Sequence, residues 1–379
     1  MLNKKIIEFY KKHYNLSELK NEERVELAFF DKVKGRHDFI VVVIYNEKRE
    51  HLLLRDFNKS IGWELPGGYL GQHERIEDAV NRIVTGETGL EIDELRPIAL
   101  VKNVFLEKKE RTNTVIHCGI AFMALSRKQV KPYPKNIMTV YSKEIPEKVA
   151  YQNNAILNIA RSIIDKKHLD PPYAEIESVN KFFFFYLLNK YVVKIIGNIA
   201  SRKIKRRVFD LIFNQPKTLL DPSCGDCSIA FDIKKHFGCK LCVCNDICWK
   251  TISLIKNKDP GVFFTNHNTL NLPFVKKFDL VVFKNTLHHI RRENQKNLIS
   301  KLVQLSSQLI IVDIEDPQKT TLLAKVWNYY YRMLLGDQGE TFLTYNEFKE
   351  MIQSVVKNKK YIVGKIKTIK GPYFYASIF

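Results

Sequence analysis

Three groups of residues in this 379-residue sequence have the types and spacing that chemistry requires. The first is Gly67-Gly68, Glu74, Arg82, Glu87 and Gly89. Paired glycines permit a tight loop whose Gly67 carbonyl can turn toward a cation. A helix carrying acids would follow, and Gly89 suits its C-terminal end. Hard cations such as Mg²⁺ or Mn²⁺ take the oxygen ligands that carboxylates and carbonyls supply. Glu87, near the end of that helix, is a carboxylate such a cation could use. The second group is Asp221-Pro222-Ser223-Cys224-Gly225, with Asp246 beyond it. A small-residue loop lets backbone approach a ligand, and an acid roughly 20 positions later can hold ribose hydroxyls. The third is His288-His289. Imidazole titrates near neutral pH, so either ring is a candidate base for an acceptor hydroxyl.

The elements that must position these groups follow from hydrophobic pattern. Residues 1 to about 30 have apolar positions at helical spacing and are expected to be helical. Phe39–Tyr45 and His51–Leu54 read as strands around the turn Asn46–Glu50, and strands return at Ile98–Phe105 and Thr114–Ala124. A helix is expected over Asn153–Ile164. From Thr218 onward strands alternate with helices, at Thr218–Leu220, Lys240–Cys244, Phe278–Phe283 and Gln308–Asp313. That alternation predicts a doubly wound parallel sheet, closed by two strands within Tyr361–Phe379. Residues 1–166 and 181–379 are therefore expected to be two domains, joined by a linker over 167–180.

The segment Trp63-Glu64-Leu65-Pro66-Gly67-Gly68, with Glu74, Arg82, Glu87 and Gly89, resembles the Nudix box. The resemblance implies an α/β/α sandwich over about residues 35–165. The run Arg82–Leu90, lacking the first two glutamates, is similar to the altered box of GDP-mannose mannosyl hydrolases. It implies Mg²⁺- or Mn²⁺-dependent action on a nucleoside-diphosphate sugar, with Gly67 and Glu87 at the metal and Glu87 catalytic. On the same resemblance Gln152 is a further metal ligand and Arg55 a phosphate contact.

Thr218–Cys227 resembles the first motif of class I methyltransferases, an apolar strand ending in Asp before a small-residue loop. The resemblance covers about residues 180–379. It implies a Rossmann-like domain with a seven-stranded sheet that binds S-adenosyl-L-methionine. Asp221, Ser223, Gly225, Asp246, Asn268 and Asn285 fall at the cofactor positions. His288 and His289 follow the fourth strand, and Trp327–Arg332 lies where such folds place acceptor-binding elements. Six of the seven cysteines lie between Cys224 and Cys248. Their spacing imitates a zinc site, but zinc at Cys224 and Cys227 would displace the cofactor. The tetrapeptide Asp170-Pro171-Pro172-Tyr173 matches that of amino-methylating DNA enzymes, but the fourth strand is already supplied by Phe278–Phe283.

The formal charge of +20 favours anionic partners. It is scattered and lacks an RNA-binding motif, which weighs toward a small-molecule substrate, a nucleotide or sugar derivative, over nucleic acid. No apolar run reaches the roughly 20 residues of a transmembrane span. With no export signal, a cytoplasmic location with reduced thiols is expected, and the oligomeric state stays open. The function expected is methyl transfer to a small molecule combined with a Nudix-like domain acting on a nucleotide sugar. The alternatives are a nucleic-acid-modifying methyltransferase, or a methyltransferase whose Nudix-like half only binds or dimerises.

Overall fold

The computed structural model describes residues 2–25, 38–56, 62–71, 74–107, 114–129, 136–146, 149, 153–166, 194–247, 252, 255, 259, 261–334, 341–356 and 359–379. Its N-terminal part opens with α1 (Leu2–His13) and β1 (Ser17–Val25). β2 (Asp38–Tyr45), β3 (His51–Asp56) and β4 (Gly67–Tyr69) lead to α2 (Ile76–Thr88). β5 (Leu90–Glu107), β6 (Thr114–Gln129), β7 (Ile137–Ser142) and α3 (Asn153–Lys166) follow. The strands form one mixed sheet in the order β1-β5-β6-β2-β3-β7, with β4 also paired to β2.

Alternate residues of β2 and β3 serve opposite layers, as strand geometry requires. Ile40, Val42, Ile44, Leu52 and Leu54 share a core with Ile76, Val80, Ile83 and Val84 of α2. Val43, Tyr45 and Leu53 pack with Ile156, Leu157, Ala160 and Ile164 of α3. This is the α/β/α sandwich expected. One expectation fails in part: among the described residues 2–25, Leu2–His13 are helical, but Ser17–Val25 form a strand paired in parallel with β5 from Ser17↔Ala99 to Val25↔Glu107. That segment is rich in Glu and Lys, good helix formers. Nine residues of ladder against the long β5 outweigh that local preference.

In the C-terminal part, α4 (Lys194–Asp210) precedes β8 (Thr218–Asp221), α5 (Ser228–Phe237), β9 (Leu241–Asn245) and β10 (Val262–Thr265). β11 (Phe278–Lys284), α6 (Arg292–Gln304), β12 (Ser306–Ile314), α7 (Leu322–Leu334) and α8 (Tyr345–Val355) follow, then β13 (Tyr361–Thr368) and β14 (Gly371–Ile378). The seven strands are ordered β10-β9-β8-β11-β12-β14-β13. β8 to β12 are parallel, and β14 runs antiparallel to both its neighbours. β8, β11 and β12 are apolar and almost wholly buried because both faces are covered.

α1 is wedged between the two parts. Phe9 stacks on Phe263 at 4.1 Å between ring centroids, while Tyr10 meets Phe122 edge-on at 5.9 Å. His13 is buried against Phe278, and Tyr14 donates or accepts a 3.0 Å hydrogen bond with His267 Nε2. From the N-cap of α2, Arg75 bonds the Ile255 carbonyl and lies over the Phe264 ring.

Next to Arg75, Glu77 is buried. Burial pushes its carboxyl up to about 7, against the pull of Arg75. A raised acid pKa means that stability is complete below the unfolded value and drains away as pH rises through the folded one. Glu77→Gln should therefore change little near pH 4. By pH 8 it should stabilise the chain by up to about 3 kcal/mol. Urea melts of both proteins across that range test this, and a difference that stays flat with pH would sink it.

Candidate active site

The C-terminal ends of β8, β9 and β11 converge on one loop cluster. After β8 the chain turns through Ser223–Cys227 into α5. Gly225 has φ +52°, and no heavy atom lies within 4 Å of where a Cβ would stand. The Gly225 N–H donates to the Asp246 carboxylate at 2.8 Å, so the acid after β9 faces the glycine corner. Ser223 shares a 2.7 Å hydroxyl hydrogen bond with Thr286, tying this loop to the one after β11. Asp221 is buried beneath them, and burial raises its carboxyl to about 7 while Lys284 opposes the shift. Asn285 holds φ +54° and donates its N–H to the Val312 carbonyl at 2.9 Å. Asn268 is buried and its side-chain oxygen caps the turn over Thr269–Asn271 by accepting the Leu270 N–H at 2.9 Å. The sequence-derived positions Asp221, Ser223, Gly225, Asp246 and Asn285 are thus brought around one corner.

Cys224 and Cys227 lie in the same loop, their Cα atoms 4.5 Å apart and their sulfurs in contact. The tight turn holds the two residues at the short end of the Cα spacing that would allow them to be bridged. Cys239, Cys242 and Cys244 are free and buried.

Beyond the corner opens a cavity of about 490 Å³. Ser228 and Ile229 of α5, Asn285, His288 and His289 form part of its wall, and Trp327 of α7 another part. His288 is held from several sides. Its Nδ1 lies 2.6 Å from an Asp313 carboxylate oxygen, and its backbone N–H donates to the other oxygen at 3.1 Å. Its ring stacks on Phe342, with 5.0 Å between centroids and planes 8° apart. Thr341 donates its N–H to the His288 carbonyl, and Gln295 donates to the Leu287, Ile290 and Thr341 carbonyls. Both His288 and Asp313 are buried. A buried carboxylate at Nδ1 fixes the ring's orientation and tautomer, so that Nε2 carries the lone pair. Sequence reasoning found His288 and Trp327 but missed Asp313, Phe342 and Thr341. The one available signal was an acid, Asp313, ending an otherwise apolar strand.

The other group of residues sits on α2. Arg82 pairs with Glu74 at 2.7 Å and donates to the Tyr69 carbonyl at 3.0 Å. Glu74 also accepts the Gly71 N–H at 2.7 Å, and Arg82 with this hydrogen bond holds the Glu74 carboxyl below its ordinary range. Gly89 caps the helix at φ +66°. Glu87 accepts the Gly67 N–H at 3.1 Å. Ile83 is buried, and a Cβ on Gly68 would come within 3.2 Å of its side chain. Gly86 faces open space. Among the described residues, this helix face offers one carboxylate, Glu87, beside an aliphatic chain and a bare glycine; one of its two oxygens accepts the Gly67 N–H. Among the described residues, the groups spaced to share a metal are Cys224, Cys227 and Cys244, not carboxylates. Arg55 is exposed on β3, paired with Met138. Gln152 lies outside the described residues.

The strand order with its reversed β14, the glycine corner after β8 and the acid after β9 define a class I methyltransferase fold. The NUDIX domain model matches residues 35–141 and the methyltransferase domain model matches residues 219–308, so the chain is a fusion of a NUDIX domain with a methyltransferase domain. No curated protein sequence matches it. Among solved structures it is similar to the plantazolicin methyltransferase BpumL in complex with SAH, at 14% identity and TM-score 0.39 over 51% of this chain and 88% of that one. It is also similar to magnesium protoporphyrin IX methyltransferase (ChlM) from Synechocystis PCC 6803 with bound SAH, at 17% identity and TM-score 0.40 over 50% and 87%. DhpI in complex with SAH is similar at 14% identity and TM-score 0.37, over 54% and 96%.

Proposed function

We propose that the chain transfers a methyl group from S-adenosyl-L-methionine to a small molecule, with its NUDIX domain serving as a binding and supporting module. The observation that carries this reading is the cavity beside the glycine corner, with the buried His288–Asp313 pair in its wall. The corner fits the cofactor because the backbone at Gly225 is open where a side chain would intrude. Asp221, Ser223, Gly225, Asp246, Asn268 and Asn285 would hold it, with Asp246 on the ribose hydroxyls. When bound, that cofactor supplies an electrophilic methyl group. His288 would take the proton from the acceptor through Nε2, Asp313 would keep the ring aimed, and Trp327 would flank the acceptor. His289, whose ring lies 4.2 Å from that of His288, is the second candidate base.

A small acceptor is favoured because the cavity falls in the size range of pockets for small ligands, roughly 300–1,000 Å³. The NUDIX domain is read as a support because its box does not assemble a carboxylate cluster, while its elements buttress the cofactor corner. Asn266 is buried between the domains. Its side-chain oxygen accepts the Leu95 N–H of β5 at 2.7 Å, and its amide donates to the Asp246 and Ile247 carbonyls at 2.7 and 2.8 Å. Turnover of a nucleoside-diphosphate sugar by wild-type chain with Mg²⁺, abolished in Glu87→Gln, would restore the two-enzyme reading.

The test is transfer of tritiated methyl, run side by side into a small-molecule extract, total RNA and DNA. Label is expected in the small-molecule fraction, with a salt dependence limited to the few cations of the cavity wall, Arg202, Lys205, Lys284 and Lys370, and so far shallower than that of a polymer track. Label in polynucleotide at comparable rates, falling steeply with salt as counterion release demands, would overturn the small-molecule acceptor.

A further inference from the structure

The sheet of the NUDIX domain carries a second cavity, of about 220 Å³, on the α3 side and therefore on the face opposite the box helix α2. Its floor is apolar and includes Leu157. Its wall draws Lys48 and Arg49 from the β2–β3 turn, Lys143 from the end of β7 and Arg161 from α3. Among the described residues, no acidic one lines it. Arg49 is presented by a turn in which its own φ is +63° and Asn46 accepts the Lys48 and Glu50 N–H groups at 3.0 Å.

At the back stands His51, 5% exposed. Its Nε2 is buried without a hydrogen-bond partner, whereas the ring is tied to the Glu144 backbone and so through Nδ1. A buried polar atom left without a partner is destabilising, and such atoms are uncommon in folded proteins. The cations around this one opening complement a compact group with more than one negative charge, and a proton shared with such a group would satisfy the imidazole nitrogen. Burial and Arg161 hold the imidazole below its ordinary pKa, which is the environment an anion would relieve.

We propose that this cavity is a binding site for a small phosphate-bearing ligand, with the phosphate held by Lys48, Arg49, Lys143 and Arg161 and, through a proton taken up at Nε2 as the anion enters, by His51. A phosphate monoester carries about −1.5 to −2 charges and three acceptor oxygens, which matches several converging donors better than a carboxylate does. The volume lies below the roughly 300 Å³ at which pockets for drug-sized ligands begin, so the site admits a phosphate and a short stem rather than a whole nucleotide. The site stands apart from the methyl-transfer reading, because none of its residues belongs to the cofactor corner or to the cavity beside it.

Calorimetric titration of the full chain tests it, with inorganic phosphate, ribose 5-phosphate, ribose and a single-stranded RNA at fixed ionic strength. Both phosphate ligands are expected to bind and ribose is not. The ester should bind more tightly than inorganic phosphate if the stem is recognised, and equal affinity would assign the site to free phosphate. Lys143→Ala and Arg161→Ala, on exposed side chains that leave the core intact, should each weaken binding about tenfold. Lys240→Ala, on the other domain, should leave it unchanged. His51→Gln should weaken it as well, with a thermal melt confirming the fold. Absence of phosphate binding, or binding indifferent to Lys143 and Arg161, would overturn the proposal. So would RNA that binds more tightly than the ester and loses that binding in the same variants, since the surface would then be a track for polymer phosphates.

Discussion

Asp246→Ala should lower the affinity for S-adenosyl-L-methionine by about 10²- to 10⁴-fold while the chain stays folded. Two ribose contacts to a charged acceptor are worth about 1.5–3 kcal/mol each, and every 1.4 kcal/mol is a factor of ten. The carboxylate also accepts the Gly225 N–H, so it sets the corner as well as the ribose. Asp246→Asn separates these contributions, because the amide oxygen can still accept from Gly225 while the charge is gone. It should fall between wild type and Asp246→Ala. Calorimetry with the cofactor is the measurement, accompanied by a melt. Unchanged affinity in a folded Asp246→Ala protein would remove this residue from the cofactor site.

His288→Ala should cut the rate of methyl transfer by about 10²- to 10⁴-fold, the usual contribution of a positioned acid–base group, with cofactor affinity preserved. Asp313 acts through His288 and is a positioning residue. Asp313→Asn keeps the size of the side chain but lets an amide, not a carboxylate, face Nδ1, so the ring loses its fixed tautomer. The expected signature is a fall in kcat with KM little changed, together with a rate–pH profile whose acid limb is displaced. A merely structural Asp313 would move the melting temperature and leave the profile in place. Wild-type kcat in His288→Ala would end the assignment and pass the role to His289.

The parts of this molecule that were legible in the sequence are those where local pattern and global packing agree. Phe278–Phe283 and Gln308–Asp313 are apolar runs because both faces of their sheet are covered, and the structure places them as β11 and β12. The glycine corner and the box were legible because their spacing is set by loops and one helix, all within about 25 residues of chain. Ser17–Val25 was not legible. Its composition is that of an exposed helix, and the cause of its strand, the edge of β5, lies some 80 residues away. Asp313 was hidden for the same reason: 25 residues and a helix separate it from the imidazole it orients. The cavity at His51 could not be read at all, since its cations come from a turn, a strand end and a helix that meet only in the folded sheet.

The position of α1 bears on how this chain could be cut, exchanged or inherited. The helix is N-terminal in sequence, yet its Phe9, His13 and Tyr14 cover Phe263, Phe278 and Phe274 on the methyltransferase side. A C-terminal fragment taken alone would leave a contiguous aromatic patch bare, of the kind that drives self-association. It would also leave Asn266 without the Leu95 N–H it accepts. The smallest portable methyltransferase in this chain is therefore discontinuous, residues 2–14 together with the C-terminal sheet. A gene rearrangement that moved only the second half would carry off the whole lining of the candidate cavity and leave behind the helix that covers its sheet.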